Sequence, residues 1–100
     1  MILRVHEVEQ KGFTEIVVTL CDDELIGRTL GDSFFVNPRF YKGRRCSKKR
    51  ALENVRKASI VNAVGNECVQ FLIDEGIVGK GEVVRVGGVL HAQVFVLKEL

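Results

Sequence analysis

The sequence predicts an α+β fold, a mostly antiparallel sheet of about five short strands with two main helices packed on one face. Three observations predict it. Segments rich in β-branched residues lie at both ends of the chain, which is typical of strands. Two segments between them carry apolar residues at helical spacing. The length of 100 residues and the hydrophobic fraction of 46% suffice for one core, so we expect a single domain, residues 1–100.

The first part of the chain predicts a hairpin. Residues 2–8 and 14–21 form its two strands, and Lys11-Gly12 supplies the turn. Residues 22–27 then predict one helical turn, because they begin with capping acids and end with a glycine. A short third strand over residues 33–37 follows and ends before Pro38.

The middle of the chain predicts both helices. Ser47 caps the first, whose apolar face contains Ala51 and Val55. The second is predicted from about Ile60 to Glu75, with Asn62 in its polar stripe and Gly76 after its end.

The last part of the chain predicts two more strands, residues 82–86 and 89–97, around Gly87-Gly88, which form a hairpin or a strand with a bulge. Alternation along the second places His91 and Gln93 on one face and Ala92 and Val94 on the other. His91 is then a candidate proton carrier or ligand contact, and a half-buried histidine bonded to backbone is the favoured alternative.

Composition excludes several classes of protein. No apolar run approaches the roughly 20 residues of a membrane span, and Met1 leads directly into an alternating segment, so we expect neither membrane association nor a signal peptide. Cys21, Cys46 and Cys68 are too few and too widely spaced for a disulfide scaffold, which indicates reduced thiols and the cytoplasm. No paired Cys or His ligands and no phosphate-binding loop occur, so no metal or cofactor is expected.

Positive charge is concentrated in one segment. The net charge is only +2, yet residues 39–57 contain nine Lys or Arg side chains and a single acid, Glu53. Such a cluster favours a polyanionic partner, and Phe40 and Tyr41 within it suit stacking on unpaired bases. The residues predicted to bind RNA are Tyr41, Arg44, Arg45, Lys48, Lys49 and Arg50.

Two other interpretations of this segment remain open. It is either a solvated helix face, in which Glu53 pairs with bases at helical spacing, or a surface for an acidic protein. An enzyme of unknown reaction using His91, together with Cys21, is a further hypothesis. Cys21 is better explained as a buried structural thiol, because Asp22 and its acidic neighbours disfavour a thiolate.

Ordered short motifs extend over nearly the whole chain. They are Cys21-Asp22, Glu24-Leu25, Gly27-x-Thr29, Phe40-Tyr41-x-Gly43, Ala58-x-Ile60-x-Asn62-x-Val64-Gly65, Gly76 and Gly88-Val89-x-His91-Ala92-Gln93. Taken together, the chain resembles the archaeal domain-of-unknown-function family numbered 424. It departs from the family at Leu90, where the family has proline, and its segment 44–50 is more basic.

The resemblance implies a small, stand-alone intracellular protein with a loose genome-context link to translation. It implies no activity and no catalytic residues. It adds a second candidate surface, made of motif positions that core packing does not explain. Its members are Phe40, Tyr41, Gly43, Asn62, Gly65, His91 and Gln93. Our leading hypothesis is a non-catalytic RNA-binding module, with a protein-interaction module of the translation apparatus as the alternative. Oligomeric state stays open.

Overall fold

A computed structural model describes residues 1–96 of the chain. Its helices and strands follow one another as β1 Ile2–Gln10, β2 Phe13–Cys21, β3 Thr29–Leu30, β4 Phe34–Phe35, α1 Pro38–Tyr41, β5 Arg44–Arg45, α2 Lys48–Lys57, β6 Ile60–Val64, α3 Asn66–Asp74, β7 Val83–Val86 and β8 Val89–Phe95. Short 3₁₀ turns occupy Asp23–Leu25 and Lys80–Glu82. No helix in this part of the chain is both long and apolar enough to cross a bilayer.

The main sheet has six strands in the order β5-β1-β2-β6-β8-β7. Every neighbouring pair is antiparallel except β2 and β6, which are parallel. The predicted α+β class and mostly antiparallel sheet are therefore confirmed. The short strand predicted over residues 33–37 lies outside this sheet, because β4 pairs only with β3 in a separate two-stranded sheet. Pro38 ends that segment and begins α1, with Asn37 as its cap.

The predicted helix from Ile60 to Glu75 is wrong in its first part, since Ile60–Val64 forms the strand β6. β6 lies between β2 and β8, and hydrogen bonds to both neighbours stabilise the extended backbone. Gly65 then has a φ of +126°, a conformation that ends the strand and cannot continue a helix. Only the second part of the predicted helix is helical, as α3.

Both long helices pack on the same face of the main sheet, as predicted. On this face, which we call the helical face, Val18, Leu20, Val61 and Ala63 are fully buried. They contact α2 and α3 within one hydrophobic cluster, to which the helices contribute Ala51, Val55, Val69 and Leu72. Burial of these side chains is the main stabilising term of the fold.

The opposite face of the sheet, which we call the second face, is covered in part by residues 22–41. Leu25, Val36 and Tyr41 from this segment pack against Cys21 and Val64 of the sheet. The second face therefore has a small core of its own, next to the polar side chains described below.

The predicted turns and caps are confirmed, except for the cap predicted at Asp22. Ser47 accepts a hydrogen bond from the Arg50 amide, 3.2 Å away, and caps α2. Gly87 and Gly88 both have positive φ and connect β7 to β8. The second of these strands was predicted to reach Leu97, which lies outside the described residues. Asp22 does not cap the turn that follows it.

Asp22 instead caps α3, the helix that begins more than forty residues later. Its carboxylate oxygens accept hydrogen bonds from the amides of Glu67, at 3.0 Å, and Cys68, at 2.9 Å. The first amides of a helix lack partners within the helix, and a carboxylate satisfies them well. This contact joins the end of β2 to the start of α3.

Candidate nucleic-acid interface

An open groove of about 710 Å³ lies at the β5 edge of the main sheet, between β1 and α2. Its lining contains five cationic side chains and, among the described residues, no acidic one. The cations are Arg4, Lys42, Arg44, Arg45 and Arg50. We call this surface the basic groove.

Gly43 allows the loop before α2 to form one wall of the basic groove. A Cβ at this position would lie 2.0 Å from the carbonyl oxygen of Leu3, so only glycine permits the close approach to β1. Arg4 donates a hydrogen bond to the Lys42 carbonyl, 3.2 Å away, at the same place. The backbone contact thus explains Gly43, and it positions Arg44 and Arg45 to pair with β1.

One groove cation has an acidic partner from outside the groove. Arg45 Nε lies 2.8 Å from an oxygen of Asp23, whose other oxygen lies 3.1 Å from the Met1 amino group. The hydrogen bond from that amino group, assisted by the charge of Arg45, lowers the pKa of Asp23 below its ordinary value. Arg45 therefore brings less uncompensated charge to the groove than Arg44 and Arg50, which form no ion pair with a described residue.

Lys48 and Lys49 do not line the basic groove. They lie at a second groove, between α2 and α3, where Glu67, Asp74 and Glu75 face them. The fold therefore divides the predicted basic cluster into two surfaces. Three of its arginines lie in an acid-free groove, and its two lysines lie opposite carboxylates of α3.

Tyr41 is only 4% exposed, which contradicts its predicted role in stacking on bases. Its ring packs in the core of the second face, and burial raises the pKa of its hydroxyl. Phe40 is half-buried, with its ring edge-on to Tyr41 at 4.9 Å and stacked on His6 at 5.0 Å. The aromatic pair therefore anchors α1 to the sheet.

Four polar side chains of the second candidate surface meet on the second face. Asn62 accepts a hydrogen bond from the Tyr41 hydroxyl and donates one to Gln93 Oε1, 3.0 Å away. His91 Nε2 lies 3.3 Å from Asn62 Oδ1, and its ring contacts Phe34 at 4.9 Å. We call Tyr41, Asn62, His91 and Gln93 the polar cluster.

The placement of His91 confirms the predicted alternation along β8. His91 is half-buried, as predicted, and lies on the second face, but its hydrogen-bond partner is the Asn62 side chain rather than the backbone. Burial lowers its pKa, so His91 is neutral near pH 7.

The family described as "Protein of unknown function (DUF424)" matches residues 11–97. The chain belongs to this family. The resemblance inferred from the spaced motifs is therefore confirmed.

The fold has a counterpart among solved structures. A crystal structure of an uncharacterised conserved protein from Methanopyrus kandleri is similar, with a TM-score of 0.76 and 25% sequence identity. The match covers 99% of this chain and 93% of that one. A comparison with curated proteins found no match.

Cys21 of this DUF424 chain is fully buried, as its structural interpretation predicts. Burial, reinforced by the charge of Asp22, raises its pKa to about 12, so the thiol stays protonated at neutral pH. Among residues 1–96, no three His, Cys, Asp or Glu side chains converge in a way that suits a metal ion.

Three residues that the sequence did not single out line or position these surfaces. Arg4 lines the basic groove, whereas His6 and Thr19 both donate hydrogen bonds to the Phe40 carbonyl, at 2.9 and 3.1 Å. Arg4 and His6 are two residues apart in a predicted strand, and this spacing places both side chains on one face. Their relation to α1 required the tertiary fold.

Proposed function

We propose that this DUF424 chain is a non-catalytic module that binds the phosphate backbone of RNA in the basic groove. One observation carries the proposal: five cations from three separate parts of the chain line a single open groove that contains no described acid. Their mutual repulsion disfavours this arrangement unless an anion offsets it. Four of the five are arginines, whose planar guanidinium groups suit phosphate oxygens.

The groove suits a polyanion better than it suits a small anionic metabolite. It is open, and its cations are spread along a β-strand, a loop and a helix rather than converging on one point. Binding of phosphates by such cations releases condensed counterions and weakens as salt increases, with a slope of about −0.7 per phosphate for single strands.

The polar cluster supports a structural role more than catalysis. Asn62 is bonded to all three other members, and the Cys21 thiol, which packs in the same hydrophobic cluster as Tyr41, is held protonated by burial. The link to translation that the family resemblance implies is independent of these contacts and is no part of the proposal.

Two double variants test the groove with matched changes in charge. Arg44→Gln with Arg50→Gln removes two charges from the basic groove, whereas Lys48→Gln with Lys49→Gln removes two exposed charges from the neighbouring groove. Fluorescence anisotropy with a twenty-nucleotide single-stranded RNA is measured between 50 and 300 mM salt. We expect the arginine variant to lose affinity and to flatten the salt slope by about 1.4. The lysine variant should retain both.

Equal losses of RNA affinity in the two variants would indicate a response to net charge alone and would contradict binding in the basic groove. If the parent binds no RNA at 50 mM salt, the RNA proposal is wrong. Binding of polyglutamate in its place would then support the acidic-protein alternative.

A further inference from the structure

We propose that a row of side chains on the second face holds unpaired bases of the RNA whose phosphates occupy the basic groove. The row consists of His6, Val17, Ile60 and Phe95, and we call it the base strip. This inference rests on the proposed function and deepens it, because it specifies single-stranded RNA.

The strand register aligns the base strip. His6 lies opposite Val17, Val17 opposite Ile60, and Ile60 opposite Phe95. Residues that are directly opposite in a sheet point to the same face, so all four side chains form one row across β1, β2, β6 and β8. Strands are about 4.8 Å apart, which gives the row a length of about 14 Å.

Phe95 is the most accessible hydrophobic member of the second face, ahead of Val84 and Phe13. Residues 22–41 cover the rows around Cys21 and Val64, but Phe95 keeps 73% of its surface exposed. It is the most exposed of the large hydrophobic side chains in the described part of the chain. His6, Val17 and Ile60 are half-buried, so each keeps part of its surface accessible next to the exposed Phe95 ring.

The base strip begins beside the basic groove. Arg4 lines the groove, and His6 lies two residues further along β1 on the same face. Phe40 stacks on the His6 ring and its carbonyl accepts from His6 Nε2, so these contacts hold the first member of the strip in place. An RNA chain that passes Arg4 at the edge of the sheet would therefore reach the second face beside His6, the first member of the strip.

Gln93 adds a polar group along the strip. It is exposed and lies in the neighbouring row, opposite Asn62. Its Oε1 accepts from Asn62, which orients the amide nitrogen to donate to an acceptor outside the polar cluster. Bases carry such acceptors on their edges.

Single-stranded RNA fits this combination of chemistry. It presents phosphates and flat apolar faces side by side, which suits a cationic groove at the sheet edge with an aromatic and aliphatic row on the adjoining second face. Duplex RNA buries its base faces and presents only phosphates and sugars to such a surface. The charge of the groove likewise favours RNA over a second copy of this chain, which would bring the same five cations.

Tryptophan fluorescence tests the base strip directly, because the chain contains no tryptophan. Phe95→Trp places a single indole in the strip, and Phe13→Trp places one at the tip of the β1–β2 hairpin, where Phe13 is 56% exposed. Each variant is titrated with a ten-nucleotide mixed-sequence RNA and with a hairpin duplex. We expect the single strand to quench only the Phe95→Trp emission, over the concentration range in which anisotropy reports binding.

Alanine variants supply the matching measurement of affinity. Phe95→Ala should weaken binding of the single strand about 5-fold or more and leave duplex binding unchanged, because base stacking is lost. Phe13→Ala, the control, should bind both as the parent does. Both side chains are exposed, so neither change should unfold the protein.

The outcomes separate this inference from the proposed function. Anisotropy changes without quenching at position 95, or equal binding by Phe95→Ala and Phe13→Ala, would overturn the base strip. RNA binding in the basic groove would still be supported if the arginine double variant lost affinity for RNA. If neither Phe95→Ala nor the arginine variant weakens binding, both proposals are wrong.

Discussion

The hydroxyl of Tyr41 donates a hydrogen bond to the side-chain oxygen of Asn62 and so joins α1 to the centre of the main sheet. Asn62 is 8% exposed, and its amide must be satisfied within the protein. Gln93 accepts from its nitrogen, and His91 shares its oxygen. In the described part of the chain no buried side-chain nitrogen or oxygen lacks a partner. The polar cluster therefore holds the segment 22–41 on the second face at little cost in desolvation.

Tyr41→Phe should destabilise the protein by about 1–3 kcal/mol, because it removes the hydroxyl and leaves the buried Asn62 oxygen under-satisfied. Urea denaturation followed by circular dichroism measures the change. Thr14→Val is the control, since the Thr14 hydroxyl also donates a hydrogen bond, to Glu9, but at an exposed site. We expect it to cost less than about 0.5 kcal/mol. Equal losses would contradict a special role for the buried bond.

Gly65→Ala should destabilise the protein by about 1–3 kcal/mol more than Gly76→Ala. Both glycines have positive φ, so both substitutions strain the backbone. Only at Gly65 would the new Cβ meet another group, the Asp22 carboxylate, at 2.2 Å. Displacing that carboxylate leaves the first amides of α3 without their cap. The two free energies of unfolding are compared by urea denaturation, and equal values would show that the contact with Asp22 is unimportant.

His91 should make the protein less stable as the pH falls below 6.5. Burial lowers the pKa of His91 from its ordinary value of 6.5, so the unfolded chain binds the proton more readily than the folded chain. The contribution of neutral His91 is fully present above 6.5 and is lost as the pH falls through the lowered pKa.

Urea midpoints between pH 7.5 and 5 measure this effect in the parent and in His91→Gln. Carboxylates contribute to both proteins and cancel in the difference. We expect the parent to lose more stability than the variant over this range. A parallel pH dependence would contradict the prediction.

Cys46 should be the first thiol that iodoacetamide modifies in the folded protein. Cys21 and Cys68 are fully buried, whereas Cys46 is half-buried in the lining of the basic groove. Burial raises the pKa of all three thiols, so the reaction at pH 8 should be slow. Peptide mapping by mass spectrometry identifies the modified site. Saturating RNA should slow the modification further, because it would cover the groove.

Cys46→Ser serves as the control for this experiment, and it should show no early modification. Label on Cys21 or Cys68 without denaturant would contradict the packing described here. An unchanged rate with RNA bound would place the RNA outside the basic groove.

Local patterns accounted for much of the fold. The β1–β2 hairpin, the Ser47 cap and the left-handed Gly76 depend on neighbours within a few residues, so the sequence predicted each of them. The residues Ile60–Val64 were assigned to a helix because a short apolar run satisfies both periodicities. Pairing with β2 and β8, strands distant in the sequence, decided between them.

The sequence predicted which residues belong to the candidate site but not how they are arranged in space. Charge counting found Arg44, Arg45 and Arg50, and motif spacing found Asn62, His91 and Gln93. Neither charge nor spacing showed that Lys48 and Lys49 share a groove with acids of α3 or that Tyr41 is buried. The direction of a side chain depends on which face its strand or helix buries, and that requires the packing partner.

The sequence by itself determined the α+β class, the caps and turns, the family, and the concentration of positive charge between residues 39 and 57. Only the tertiary structure decided that Arg4 joins that charge, that the lysines leave it, and that Phe95 aligns with His6 across four strands. The physical reason is the separation along the chain of the residues that interact. Caps, turns and amphipathic periods arise within a few residues, whereas the register between distant strands follows from burial of the whole helical face.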